Sequence, residues 1–511
     1  MKLRLAIVIA ALAGFVALSY EIVWYRVLSF MTRGIASTFG LLLAAYLFGL
    51  ALGARGSAAL CGGEGGDPRQ LRRLAVFVAA ANVVAGLVAP ALAWSARFTD
   101  FRIGLVVIAV AAAFLGSVLP LVSHFGISPD ERAGTRLSYV YLANIIGSAS
   151  GSLVTGFVLM DHLTLVGIMR VLIALGFALA AVIVAMSLPA RRVAVPSYAA
   201  ITTCLVVTLA VLPKLYDRIY ERLLYKWEWD GTQRFAQVIE NKSGVITVAP
   251  DGSVYGGGAY DSVVNTALDG NEKNGILRAY VVGALHPAPR EVLMVGLASG
   301  SWAQVVAHLP GVEHLTIIEI NPGYIEVVAS HPETASLLHN PKVSIVFDDG
   351  RRWMLRHDRR FDVIVMNTTL HWRGHATNLL STEFLEIARR HLRPSGVFYF
   401  NSTDSTDAQL TAAQAFPHMM RITNFVAVAD DPFNFDRTRW KWLLETMQIE
   451  GRPILDRSRP EHAELYESLL GFNDMEYRPT ILDRTSRSAT VITDDNMVVE
   501  WREPLRWPER E

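Results

Sequence analysis

The stretch EVLMVGLASGSWAQVV (291–306), followed by HLTIIEIN (314–321) and KVSIVFDDGRRWM (342–354), decides the fold of the second half of this chain. Three short apolar runs, 292–295, 315–318 and 343–347, each end in a polar or glycine signature. A helix-length segment, 302–309, separates the first two, so the order is strand, helix, strand and then a third strand. Such alternation predicts a parallel, doubly wound sheet whose ligands bind at the carboxyl ends of its strands. Each signature falls at such an end. Gly296 and Gly300 allow a tight turn and a close backbone approach. Glu319 closes the second strand, where a carboxylate can accept both hydroxyls of a ribose. Asp349 and Gly350 close the third, where a short acceptor beside a glycine can meet the exocyclic amine of adenine. A glycine loop alone is weak evidence; loop, Glu and Asp at successive strand ends together predict a bound nucleoside.

HPAPREVLMVGLASGS (286–301), IIEIN (317–321) and FDDGRRWM (347–354) resemble the spermidine synthase, or polyamine aminopropyltransferase, family of class I methyltransferase-like folds. The resemblance covers roughly 243–500, and a membrane-fused branch of that family also carries a hydrophobic bundle in front of the domain. It implies a substrate rather than a resident cofactor, S-adenosylmethionine or its decarboxylated form, and no metal. It also implies a small β-domain before the sheet, with Asn265 resembling the family's usual cleft glutamine; the acidic and Tyr-His-Glu run that should follow has no clear counterpart in 267–280. The departures are coherent. Ser299 stands where the family's aspartate grips the aminopropyl ammonium. After the strand 361–366, Asn367 and Leu370 replace a pair of aspartates that deprotonate and hold the attacking amine. An amide cannot take a proton at neutral pH, and leucine carries no charge. His371 as a base and Arg373 as a binder of carboxylate or phosphate are the candidates left for catalysis, and they favour a neutral or anionic acceptor over a diamine.

The first half reads differently. Hydrophobic residues make up 52% of the 511 residues, and the excess lies before Pro213. Apolar runs near 5–24, 37–54, 72–94, 103–123, 138–160, 163–187 and 197–213 are each long enough to span hydrocarbon as a helix, or nearly so. No small-residue cleavage site follows the first, so it is a membrane helix and not a signal peptide. Glu21, beside Trp24, Tyr25 and Arg26, lies at the end of its run and reads as an interfacial belt. Gly49 with Gly53, and Asn144 with Gly147, Ser148 and Gly151, form small-residue faces suited to close helix packing.

The expected layout is therefore a bundle of about seven membrane helices (1–213), an amphipathic interfacial linker (214–242), a small β-hairpin domain (243–285) and a Rossmann-like domain (286–511). Lysines and arginines on alternate loops place the amino terminus inside, and seven crossings would then put the second half outside. Lys214, Arg218, Arg222 and Lys226 argue instead for a cytoplasmic domain on a bacterial-type inner membrane, with one run re-entrant; the Pro120 run and the short seventh are the suspects. Acidic and basic residues balance at 47 each, which points away from a nucleic-acid partner. Cys61 and Cys204 offer neither a disulfide framework nor a zinc site, and Asp494 with Asp495 reads as a capping or turn pair rather than a metal site. The partners expected are the bilayer, a small-molecule substrate and a second copy of the chain. The leading function is an aminopropyl-type transfer that releases methylthioadenosine. Two alternatives stay open: lyase or cyclisation chemistry on S-adenosylmethionine, and a transporter or assembly factor whose nucleoside domain only senses ligand.

Overall fold

The computed structural model describes residues 3–60, 68–98, 102–187, 191–268, 275–367 and 370–501. Cys61, Thr368, Thr369 and part of the 267–280 run lie outside them. The chain divides into two compact units, one of Met1–Arg234 with Ile239–Val245, the other built on Phe235–Val238 and Ile246–Arg506.

Among the described residues, the first unit holds seven helices long and apolar enough to cross a membrane: Leu3–Met31, Ser37–Ser57, Gln70–Ser95, Arg102–Gly126, Ala133–His162, Leu165–Met186 and Val193–Leu215. Glycines set the closest contacts. A Cβ added to Gly147 or Gly151 would lie 1.9 Å from the Ala11 carbonyl oxygen or 2.2 Å from that of Phe15, so the first and fifth helices touch backbone to backbone. Gly49 and Gly53 do the same against Ala109 and Ala113 of the fourth. That fourth helix breaks at Ser117, not at Pro120. The Ser117 hydroxyl donates to the Gly53 carbonyl at 2.8 Å, and Pro120 sits in the first turn of the following piece, where its missing N–H costs nothing.

Two expectations about this unit need correction. The first helix runs on to Met31, so Glu21 lies inside it and is buried, not at its end. Polar Glu21 and Arg26 lower the local hydropathy, but apolar Val27–Met31 continue the helix behind them. The start of the linker expected at the interface packs inward as well: Ile219–Tyr225 is a short helix, and Tyr216, Ile219, Tyr220 and Leu223 are buried. The Tyr216 hydroxyl donates to the Gly86 carbonyl at 2.8 Å, which fixes that stretch to the third helix.

In the second unit, β1 (Gly244–Val248), β2 (Ser253–Gly256) and β3 (Ala259–Val263) form an antiparallel meander. The last of these starts at Ala259. It ends at Val263 because Asn265 Oδ1 accepts the Ala267 N–H at 2.9 Å and turns the chain. Helix α1 (Leu277–Leu285) leads into β4 (Glu291–Val295), α2 (Ser301–His308), β5 (His314–Glu319), α3 (Tyr324–Ser330), β6 (Val343–Phe347), α4 (Gly350–Arg356) and β7 (Phe361–Met366). Then follow α5 (Thr382–Arg390), β8 (Leu392–Asn401), α6 (Thr406–Ala415), β9 (His418–Ile422), β10 (Phe425–Ala429), α7 (Arg437–Thr446) and β11 (Met475–Tyr477). Strand β8 begins at Leu392, and an irregularity opposite Phe361 and Val363 absorbs Pro394, which has no N–H to give.

The eight strands lie in the order β11-β9-β10-β8-β7-β4-β5-β6, and β6-β5-β4-β7-β8 are parallel. The direction of winding reverses between β4 and β7. Such a switch point is where ligands bind in open α/β sheets. One face of the sheet buries Phe384, Phe398, Phe400 and Phe416; Trp302 and Phe425 stack with ring centroids 5.0 Å apart.

Candidate functional site

The loop after β4 turns through positive φ at Gly296 (94°), Ala298 (47°) and Gly300 (80°). Left-handed backbone at Ala298 is strained, and Glu319 explains how it is held. That carboxylate is 4% exposed at the end of β5. One oxygen accepts the Leu297 N–H of the loop at 2.7 Å, and the other accepts the Asn321 N–H at 2.7 Å. Burial pushes the Glu319 carboxyl up to about 7, against the pull of these amides. The carboxylate as a whole keeps lone-pair capacity beyond these amides. Ser299 is tied inward: its N–H donates to Ser262 Oγ at 3.1 Å and its hydroxyl faces the Val263 carbonyl at 3.2 Å.

Asp349 caps α4, accepting the Arg352 N–H at 2.8 Å. Gly350 begins that helix hard against β4, since a Cβ there would lie 2.6 Å from Val295 Cγ1. The two carboxylates, the glycine loop and Ser299 thus stand on β4, β5 and β6 at their carboxyl ends or just beyond. Asp494 does more than turn the chain: it receives both terminal nitrogens of Arg351, at 2.8 and 2.5 Å, and the Ser381 hydroxyl at 2.6 Å.

The β7 side is built from amides. Asn367 ends β7 and its Oδ1 accepts from Asn401 Nδ2 at 3.2 Å; Asn401 Oδ1 accepts from Asn424 Nδ2 at 3.2 Å. Asn424 Oδ1 in turn receives the Arg278 guanidinium. His371 is placed by Thr403, whose hydroxyl lies 2.6 Å from His371 Nδ1, and Thr403 N–H donates to Asn401 Oδ1 at 2.8 Å. The chain brings Asn367 and His371 into one network, then, through a residue that was not expected there.

Arg373 is elsewhere engaged. Its guanidinium donates to the Gly256 carbonyl at 3.2 Å and pairs with Asp261 at 3.9 Å. Tyr324 also donates to Asp261. Burial raises the Asp261 carboxyl, while Arg373 and the Tyr324 hydrogen bond pull it down. The guanidinium expected to meet a ligand carboxylate already meets one of the chain's own.

Asp261, Tyr324, Arg278, Asn401 and Asn424 were not picked out from sequence. Asn401 had a signal, since it closes a parallel strand next to the switch point. Tyr324 follows Glu319 in the turn back over the strand ends. Asp261 and Arg278 lie on β3 and α1, which only tertiary contact brings to the cleft. Among the described residues, no group of three or more His, Cys, Asp and Glu side chains is placed to hold a metal ion.

A model of the spermine/spermidine synthase domain matches residues 278–427. The polyamine aminopropyltransferase of Desulforudis audaxviator is 30% identical over 215 residues, which cover 39% of this chain and 76% of that protein. The polyamine aminopropyltransferase of Streptococcus pneumoniae is 30% identical over 125 residues, 24% of this chain and 43% of that protein, so the chain spans under half the length of this second relative. A crystal structure of spermidine synthase in complex with the transition state analogue AdoDATO is 15% identical, covers 50% of this chain and 88% of its own, and superposes with a TM-score of 0.36.

Proposed function

This chain belongs to the polyamine aminopropyltransferase family, and from that premise we propose that its α/β unit binds S-adenosylmethionine or the decarboxylated form and transfers an aminopropyl-type group to an acceptor that is not a diamine. The bond from the sulfonium to the adjacent carbon breaks as the acceptor's lone pair forms the new one, and methylthioadenosine leaves with the sulfur electrons. The sulfonium is already a good leaving group, so the protein has chiefly to align the partners and accept one proton. Glu319 and Asp349 would hold ribose and adenine over the loop of Gly296 and Gly300, beside Gly350. His371, set by Thr403, would take the proton.

The observation that carries the choice of acceptor is the run Asn367–Asn401–Asn424–Arg278 at the ends of β7, β8 and the β9–β10 turn. It offers amides ending in a cation. A diamine is doubly charged at neutral pH and gains nothing from such a wall, because its amines have an unperturbed pKa of about 10. The two carboxylates nearby, Glu319 and the partly buried Asp261, are occupied by backbone amides and by Arg373 with Tyr324. The test is methylthioadenosine release by the purified full chain from decarboxylated S-adenosylmethionine with putrescine. Release far below ordinary enzyme turnover is expected; about one per second would sink the proposal. The bundle would carry this unit in a bacterial inner membrane on the cytoplasmic side, so a fluorescent protein fused after Glu511 should fluoresce and an alkaline phosphatase fused there should be silent.

A further inference from the structure

Around Arg278, where the amide run ends, two buried side-chain donors find no acceptor among the described residues. Tyr399 of β8 is 0% exposed and Trp302 of α2 is 4% exposed. Among the described residues, neither the Tyr399 hydroxyl nor the Trp302 ring N–H has a hydrogen-bond partner. Both rings pack on Phe425, with centroids 4.8 and 5.0 Å away. The Arg278 guanidinium carbon stands 5.0 Å from the same Phe425 ring and 5.8 Å from that of Trp302. Burial works against the charge of Arg278; Tyr399, Tyr260 and the exposed Asp404 act the other way. Two buried donors left without acceptors each cost the folded chain free energy, on the order of 1–3 kcal/mol. A cation beside them makes the missing acceptor an anion of small size, and a planar carboxylate suits a guanidinium fork best.

We propose that Arg278, Tyr399 and Trp302 form a carboxylate-binding subsite, so that the reaction of this unit uses a substrate that carries a carboxylate. This rests on the nucleoside reading above and deepens it. The carboxylate has two possible sources: the amino-acid end of intact S-adenosylmethionine, or an acceptor that is itself an amino acid. In both, Arg278 pairs with the carboxylate, while the Tyr399 hydroxyl and the Trp302 ring N–H donate to it. The reading of the sequence gave this task to Arg373. The pairing of Arg373 with Asp261 frees the assignment for Arg278.

Calorimetry on the full chain in detergent separates the sources. Methylthioadenosine, which has no carboxylate, tests the nucleoside site alone; if it does not bind, the underlying reading fails and this inference with it. Intact and decarboxylated S-adenosylmethionine are then compared. On protein saturated with methylthioadenosine, 4-aminobutyrate is compared with putrescine. The carboxylated member of one pair should bind about tenfold tighter, the size of a charge-assisted hydrogen bond. Arg278→Met should erase that preference, and Tyr399→Phe, which removes one oxygen and leaves the ring, should reduce it. The unchanged affinity for methylthioadenosine shows that each variant is folded. Binding of methylthioadenosine with no carboxylate preference in either pair, or a preference that survives both variants, overturns the subsite and leaves the nucleoside reading standing.

Discussion

The two sides of the switch point solve opposite problems with similar backbone. On the β4–β6 side, the residues beyond the strands are glycines and carboxylates, and the carboxylates hold backbone amides: Glu319 those of Leu297 and Asn321, Asp349 that of Arg352. On the β7–β8 side they are asparagines that hold one another, Asn367 to Asn401 to Asn424. A carboxylate tied to amides keeps part of its acceptor capacity, so on the proposed reading the first side takes a ligand rich in donors. A chain of amides is self-satisfied and has no preferred charge, and its sign is set by what terminates it, here Arg278. In the proposed function the first side is therefore specific by its own residues, and the second by its end group.

The largest effect should come from breaking the first side. Glu319→Ala removes the acceptor of two proposed ribose hydroxyls, and methylthioadenosine affinity should fall by about hundredfold or more. The same change orphans two buried amides and releases the strained loop at Ala298, so the melting temperature should fall as well. Glu319→Gln, which keeps one acceptor oxygen, separates the two. If its affinity equals that of the native chain, the nucleoside assignment is wrong.

A smaller, tunable break is protonation. The Glu319 carboxyl is raised from 4.5 to about 7 by burial, so the folded apo chain holds this proton more tightly than the unfolded one. Its contribution to stability is then fully present below about 4.5 and is lost as pH rises through about 7, amounting to at most about 3 kcal/mol. Ligand binding should run the other way, since the ionised group is the better acceptor of hydroxyls. Methylthioadenosine affinity should rise about tenfold between pH 6 and pH 8. Glu319→Gln should flatten both profiles, and calorimetry across that range would reveal a profile that stays steep without the carboxylate.

The second side can be sharpened by giving it the charge it lacks. Asn367→Asp with Leu370→Asp places carboxylates where the family has them, and putrescine affinity should increase by about fivefold, one partly solvated ion pair. No gain would mean that the amide run is not what turns diamines away.

Much of the first side was legible because it is local. A glycine loop, Glu319 and Asp349 each follow an apolar run by one or two residues, and strand ends are set by the runs themselves. The same locality gave four of the five parallel strands and α2. What stayed hidden depends on distant contact. Arg373 was read as available because its partner Asp261 lies 112 residues earlier on a strand of another sheet. Glu21 was read as terminal because hydropathy sees side chains and not the helix that carries them. The seven apolar runs were plain from length, whereas the break at Ser117 needed Gly53 of a different helix to explain it.

The smallest effect concerns Asp349, which has one job in the structure and a second only in the proposal. As the cap of α4 it accepts the Arg352 N–H, and an asparagine there caps about as well as an aspartate. Asp349→Asn should therefore leave stability within about 0.5 kcal/mol of the native chain, whereas Asp349→Ala should cost about 1 kcal/mol. If the same side chain also accepts the adenine amine, the loss of its charge weakens one hydrogen bond without removing it, and methylthioadenosine affinity should drop by about threefold. Inosine-type methylthio nucleosides, which lack that amine, should bind the native chain and Asp349→Asn equally. Thermal melts and calorimetry on the two variants give four numbers, and the decisive one is the adenine-specific difference. Should it vanish, Asp349 is a cap and nothing more, and the donor-binding character of the first side rests on Glu319 alone.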